Sequence, residues 1–110
     1  MEEPVANAIN DESVAAQIRS LLAGGLKTEV FPRADSQDST VEILGRLRMA
    51  GGDLAARLVT AGFTLQPVEH DGIEQACETC MYYLVHRRFC ELPELAVPVE
   101  PQWSCRLWRI

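Results

Sequence analysis

The sequence predicts an α+β fold: a small single domain over residues 1–110, in which a helix-strand-helix-helix-strand scaffold is followed by a four-cysteine metal-binding β module. Three observations point there. At 110 residues the chain can build one hydrophobic core but not two. Its 47% hydrophobic and 24% charged residues are the balance of a folded domain, too apolar for a disordered one. Its residue types are also segregated. Residues 1–74 carry twelve of the acids and six of the bases, which is the whole net charge of −6, whereas the rest balances four acids against four bases. All four cysteines, both tryptophans and both tyrosines lie in that neutral part. An acidic scaffold, residues 1–72, is thus expected beside a cysteine-rich module, residues 73–110, with a linker near His70-Asp71-Gly72.

Taken in order, Val14, Ile18, Leu21 and Leu22 have helical spacing, so a first helix is predicted from Ser13 to Ala23, with Gly24-Gly25 as its stop. Leu26 to Phe31 alternates apolar and polar residues up to Pro32, the pattern of a short edge strand. Arg33 to Ser39 reads as a polar loop. Ser39-Thr40-Val41-Glu42 has the form of a capping box, which would start a second helix carrying Ile43, Leu44 and Leu47. Gly51-Gly52 breaks that helix. Asp53 then caps a short third helix with Leu54, Leu58 and Val59, and Gly62 ends it in a left-handed conformation. Phe63-Thr64-Leu65 is predicted as a strand limited by Pro67. Arg46, Arg48 and Arg57 on adjacent helices invite a helix-turn-helix reading. The third helix has only about two turns, however, and the surrounding acids repel phosphates, so these arginines are read as a solvated face.

The segment Cys77-Glu78-Thr79-Cys80 puts two thiols on one tight turn, and Cys90 and Cys105 complete the pattern C-x2-C-x9-C-x14-C. Four thiolates suffice to close a tetrahedral zinc site or to hold an iron-sulfur cluster. Two disulfides, a redox dithiol and free buried cysteines are the alternatives. Met81 to Val85 is β-prone, Arg87-Arg88 suits an exposed turn, and Phe89-Cys90 returns toward the pair, so a hairpin is expected after the C-x-x-C turn. Pro93, Pro98 and Pro101 forbid a long helix and favour an extended loop. Trp103 to Ile110 alternates again, which predicts a last strand with Trp103, Cys105 and Leu107 on one face. His86 is read as a surface-turn histidine and not as a ligand, and His70-Asp71 as linker. Arg87, Arg88, Arg106 and Arg109 flank the thiolates in sequence, either offsetting their charge or forming a solubilising rim.

These residues resemble high-potential iron-sulfur proteins, in which a C-x2-C pair and two later single cysteines hold a [4Fe-4S] cluster. Tyr82 stands two residues after the pair, Leu92 two after the third cysteine and Trp108 three after the last, and fourteen residues separate Cys90 from Cys105. The interval from Cys80 to Cys90 is shorter than in most of that family, and the glycines of its cluster-wrapping loops are absent. The resemblance spans residues 77–110 and implies single-electron transfer through a cluster on Cys77, Cys80, Cys90 and Cys105. The same stretch is similar to short four-cysteine modules of small bacterial mobile-element proteins, which implies zinc and an accessory role.

The expected function is that of a non-enzymatic metal-binding protein with a structural zinc site made of the four cysteines, acting as an adaptor, regulator or inhibitor on a protein partner. Catalytic zinc needs an open position and usually a general base, and no H-E-x-x-H pattern or P-loop is present. The acidic scaffold favours a basic partner, such as a nucleic-acid-binding protein, and disfavours direct binding to nucleic acid. No apolar run approaches the roughly 20 residues that span a bilayer. Met1-Glu2-Glu3-Pro4 lacks the features of a leader, so a cytoplasmic location is expected. The competing expectation is an electron carrier with a [4Fe-4S] cluster shielded by Tyr82, Tyr83, Phe89, Trp103 and Trp108. The bland reading of those rings is core packing.

Overall fold

The helices form where the apolar spacing predicts them, but two of the three begin earlier or cap differently than expected. The computed structural model describes the backbone of residues 3–110 and side chains from residue 10 onward. Met1 and Glu2, at the start of the segment read as lacking a leader, lie outside the described residues. Helix α1 spans Glu3–Ala23. It starts well before Ser13 because helix-forming residues continue upstream and Pro4 is tolerated in a first turn, where its missing N–H has no partner to lose. Ile18 is fully buried on its inner face, with Val14, Leu21 and Leu22 packed beside it.

Helix α2 spans Gln37–Ala50 and its cap corrects the sequence reading. Ser36, not Ser39, is the N-cap: Ser39 N–H donates to Ser36 Oγ at 3.1 Å, and Ser36 N–H donates back to Ser39 Oγ at 3.3 Å. A hydroxyl at the third helical position does the work expected of a carboxylate at Glu42, and the helix gains almost a turn. Helix α3, Leu54–Ala61, follows the prediction. Asp53 Oδ1 accepts from Ala56 N–H at 3.1 Å, and Gly62 closes the helix at φ 68°, ψ 41°. At Gly62 a Cβ would stand 2.3 Å from the Glu29 carbonyl oxygen, so glycine also permits the 26–31 segment to pass against the helix end.

That segment is not the predicted edge strand. Glu29 N–H donates to Val59 O at 2.9 Å and Thr28 Oγ1 to Phe63 O at 2.8 Å, so its polar groups are satisfied by the end of α3 instead of by a strand ladder. The expected strands at Phe63–Leu65 and Trp103–Ile110 likewise shrink to a single antiparallel bridge, Thr64 with Ser104. Alternation fails because Ser104 and Arg106 are buried together with Trp103, Cys105 and Leu107. The predicted linker at His70-Asp71-Gly72 is in fact a hairpin. Strands β1, Val68–His70, and β2, Ile73–Gln75, pair antiparallel across Asp71 and Gly72, both at positive φ, 54° and 76°. Asp-Gly is the residue pair such a two-residue turn prefers.

The second sheet has the order β3-β4-β5, with β3 Tyr83–Leu84, β4 Phe89–Cys90 and β5 Val97–Pro98, all antiparallel. The hairpin expected after the C-x-x-C turn is therefore present. Pro98 occupies an edge strand, where its missing N–H costs no ladder bond. Among the described residues the chain is a small α+β domain of three helices and two small antiparallel sheets. One hydrophobic core joins Ile18, Leu47 and Leu58 of the helices to Phe63, Leu95 and Trp103, and reaches Cys77, Cys90 and Cys105.

Candidate metal centre

The four cysteines arrive at one place by separate routes. Cys77–Thr79 forms a single 3₁₀ turn, closed by Cys80 N–H on the Cys77 carbonyl at 3.0 Å. The turn is held by the last segment of chain: Cys77 N–H donates to Trp103 O at 2.6 Å, and Glu78 N–H to Pro101 O at 3.0 Å. Trp108 Nε1–H adds a bond to Thr79 Oγ1 at 3.1 Å. Cys90 is set by β4, opposite Tyr83 on one side and Val97 on the other. Cys105 follows Ser104, whose pairing with Thr64 fixes it to the end of the helical scaffold.

All four line a common cavity, with Phe63, Tyr82, Tyr83 and Trp108 as its aromatic walls and Leu95 and Val99 completing it. The cavity they line has a volume of about 20 Å³. Cys77, Cys90 and Cys105 are buried, Cys80 is half-buried, and none is in a disulfide. Among the described residues no group of three or more His, Cys, Asp and Glu side chains is arranged to hold a single metal ion. The predicted ligands thus share one cavity and stand around its space without meeting at a point.

Burial sets their chemistry. It is the largest influence on the Cys90 thiol, pushed up to about 11, and on Cys105, pushed up to about 12. Cys77 is raised further by the same cause, with the other three cysteines adding to it. Uncomplexed, these are neutral thiols and not nucleophiles, because only the thiolate attacks or ligates. The backbone amides of Leu92 and Leu107, each two residues along, oppose burial at Cys90 and Cys105. Amides placed near sulfur in this way favour the thiolate. Binding a cation or cluster here would require these thiols to give up their protons.

His86 is exposed on the β3–β4 turn, away from the cavity lining. Three of the four arginines expected near the thiolates are committed elsewhere. Arg87 pairs with Asp11 at 2.8 Å and lies over the Phe89 ring, Arg88 pairs with Glu100 at 3.2 Å, and Arg106 reaches Glu29 at 3.2 Å. Arg109 is exposed and contributes its carbonyl to Met81 N–H. The guanidinium that does approach the site belongs to Arg33, in the stretch read as a polar loop; its Nη2 donates to Cys105 O at 2.9 Å. Of the aromatics expected to shield the centre, Tyr82, Tyr83 and Trp108 line it, Trp103 is in the core, and Phe89 faces Arg87. Phe63 lines it unpredicted. The arginines of α2 and α3 are also engaged: Arg46 with Glu29, Arg48 with Glu94 at 2.9 Å, and Arg57 with the Leu95 carbonyl. His70 lies 3.2 Å from Asp35 and 3.5 Å from Asp71 on the surface of the first hairpin. No described helix is long and apolar enough to cross a membrane. No protein-family model matches the chain, and comparison with curated proteins and with solved structures likewise gives no match.

Proposed function

We propose that this protein is a small carrier of single electrons, with a [4Fe-4S] cluster held by Cys77, Cys80, Cys90 and Cys105. The observation that carries the reading is the four free thiols that line one cavity with aromatic walls. Zinc takes sulfurs at about 2.3 Å and so draws four thiolates into mutual contact. A cubane cluster would put iron and sulfide between the same four sulfurs, which suits donors that share a cavity without meeting at a point. The donor set also fits chemically, being four sulfurs, two of them with a backbone amide nearby that favours the thiolate. When bound, such a cluster accepts one electron from a donor protein and passes it to an acceptor without bond making. Four protein ligands leave no iron position open to a substrate, so this reading includes no enzyme activity. Half-buried Cys80 is the cysteine nearest to solvent, and it marks the side from which a redox partner approaches.

A second reading is the structural zinc module that binds a protein partner. The tight Cys77–Cys80 turn and the net charge of −6 favour it, since a two-cysteine turn suits a zinc ion and an acidic surface steers a basic partner. Metal analysis after anaerobic purification separates the two. A brown protein with about four irons and as many sulfides per chain is the expected result. A colourless protein with one zinc and no sulfide overturns the carrier and leaves the module, whose partner is then sought by pull-down across low and moderate salt. A protein with neither overturns both.

A further inference from the structure

We infer that Arg33 is the internal counter-ion of the cysteine centre, a positioning residue whose buried charge favours the more negative state of the site. The inference rests on the four-thiolate reading above. Arg33 is only 3% exposed, and a guanidinium keeps its charge at any ordinary pH. All three of its nitrogens donate, and every acceptor is neutral. Nε and Nη2 donate to Gln75 Oε1, Nη1 to Val30 O at 3.2 Å, Nη2 to Cys105 O at 2.9 Å, with Ser104 Oγ at 3.5 Å. Among the described residues no carboxylate pairs with it; Asp35, two positions on, is exposed and faces His70. Arg106 shows the contrast, because it is as deeply buried but has the Glu29 carboxylate at 3.2 Å.

A buried cation with neutral partners alone is unfavourable, so something anionic belongs near it. The candidate is the cysteine centre, because Nη2 stands 2.9 Å from the carbonyl oxygen of Cys105 itself. Four thiolates around a divalent ion or a [4Fe-4S] core of charge +2 leave the site at −2, the charge this guanidinium lacks. When one electron from a reductant such as dithionite enters, no bond breaks and the site becomes one unit more negative. Arg33 favours that state, so removing its charge lowers the reduction potential.

Four chains are compared after anaerobic reconstitution with ferrous iron and sulfide: the wild type, Arg33→Met, Arg33→Lys and Gln75→Glu. Midpoint potentials come from dithionite and ferricyanide titrations, and affinity for Co²⁺ from thiolate-to-cobalt absorption of the iron-free protein. Gln75→Glu is the decisive variant, since it keeps the hydrogen bonds of Arg33 but cancels its charge with a carboxylate of nearly the same shape. Arg33→Met and Gln75→Glu are expected to disfavour the reduced state about tenfold, equivalent to about 59 mV, and to weaken Co²⁺ binding by a similar factor. Arg33→Lys keeps the charge and is expected to stay near the wild type in both. Unchanged potential and cobalt affinity in Gln75→Glu overturn the assignment even if Arg33→Met does not fold. An Arg33→Lys chain that behaves as Arg33→Met also overturns it, because a purely structural guanidinium predicts that pattern. If the wild type takes cobalt but no cluster, the electron-carrier reading fails and the cobalt arm alone decides Arg33. A wild type that takes neither overturns the centre and the assignment together.

Discussion

Cys90 is held by the β4 ladder on both flanks, so exchanging its sulfur for a hydroxyl would remove a proposed ligand without freeing the backbone. Cys90→Ser is expected to lose most bound iron and sulfide, whereas His86→Ala, on an exposed turn outside the cavity, is expected to keep them; metal content per chain checks both. Gly62→Ala tests a different constraint. Its φ of 68° and the Glu29 carbonyl oxygen 2.3 Å from any added Cβ make the substitution cost more than about 1 kcal/mol, measurable by urea unfolding. Such residues differ in how far they were legible in sequence. That the cysteines gather at one place was readable because a C-x-x-C pair is written locally and in a rare residue type. Arg33 was not. Its approach to Cys105 joins residues 72 positions apart, and a cation in a polar stretch carries no mark of burial until the fold closes over it.

Among the elements, the N-terminus of α2 gives the cleanest test. Ser36→Ala is expected to cost about 1 kcal/mol and Glu42→Ala almost nothing, the reverse of what the Ser39-to-Glu42 motif predicts; denaturant midpoints decide. The helices were readable because apolar residues at helical spacing report burial of one face, as Ile18, Ile43, Leu47 and Leu58 confirm. Strands were not, because alternation over five or six residues does not supply a partner. Residues 26–31 give their hydrogen bonds to the end of α3, and residues 103–110 give theirs to Thr64, Ala61 and the 33–34 loop. The Asp-Gly turn at residues 71–72 was a hairpin signal in the sequence, masked by the short, mostly polar strands beside it.

Across the whole molecule, Glu29 links the 26–31 segment to α2 through Arg46 and to the C-terminal segment through Arg106. The Arg46 hydrogen bond, supported by Arg106, holds its carboxyl below the ordinary 4.5. A carboxyl depressed in the folded state stabilises it above the unfolded value, and that stability is lost as pH falls through the folded value. Glu29→Gln is therefore expected to melt below the wild type at about pH 7, with the gap closing as pH falls below the ordinary carboxylate range and narrowing in high salt, since Glu29 is 38% exposed. The same interlocking governs the cysteines. The wall at Phe63 comes from the end of the helical region, the Arg33 guanidinium from the loop between α1 and α2, and the bridge to Ser104 from Thr64. The cysteine-bearing stretch is accordingly no portable cassette. Excised as a peptide or transplanted onto a foreign host protein, residues 73–110 would leave behind part of their own enclosure.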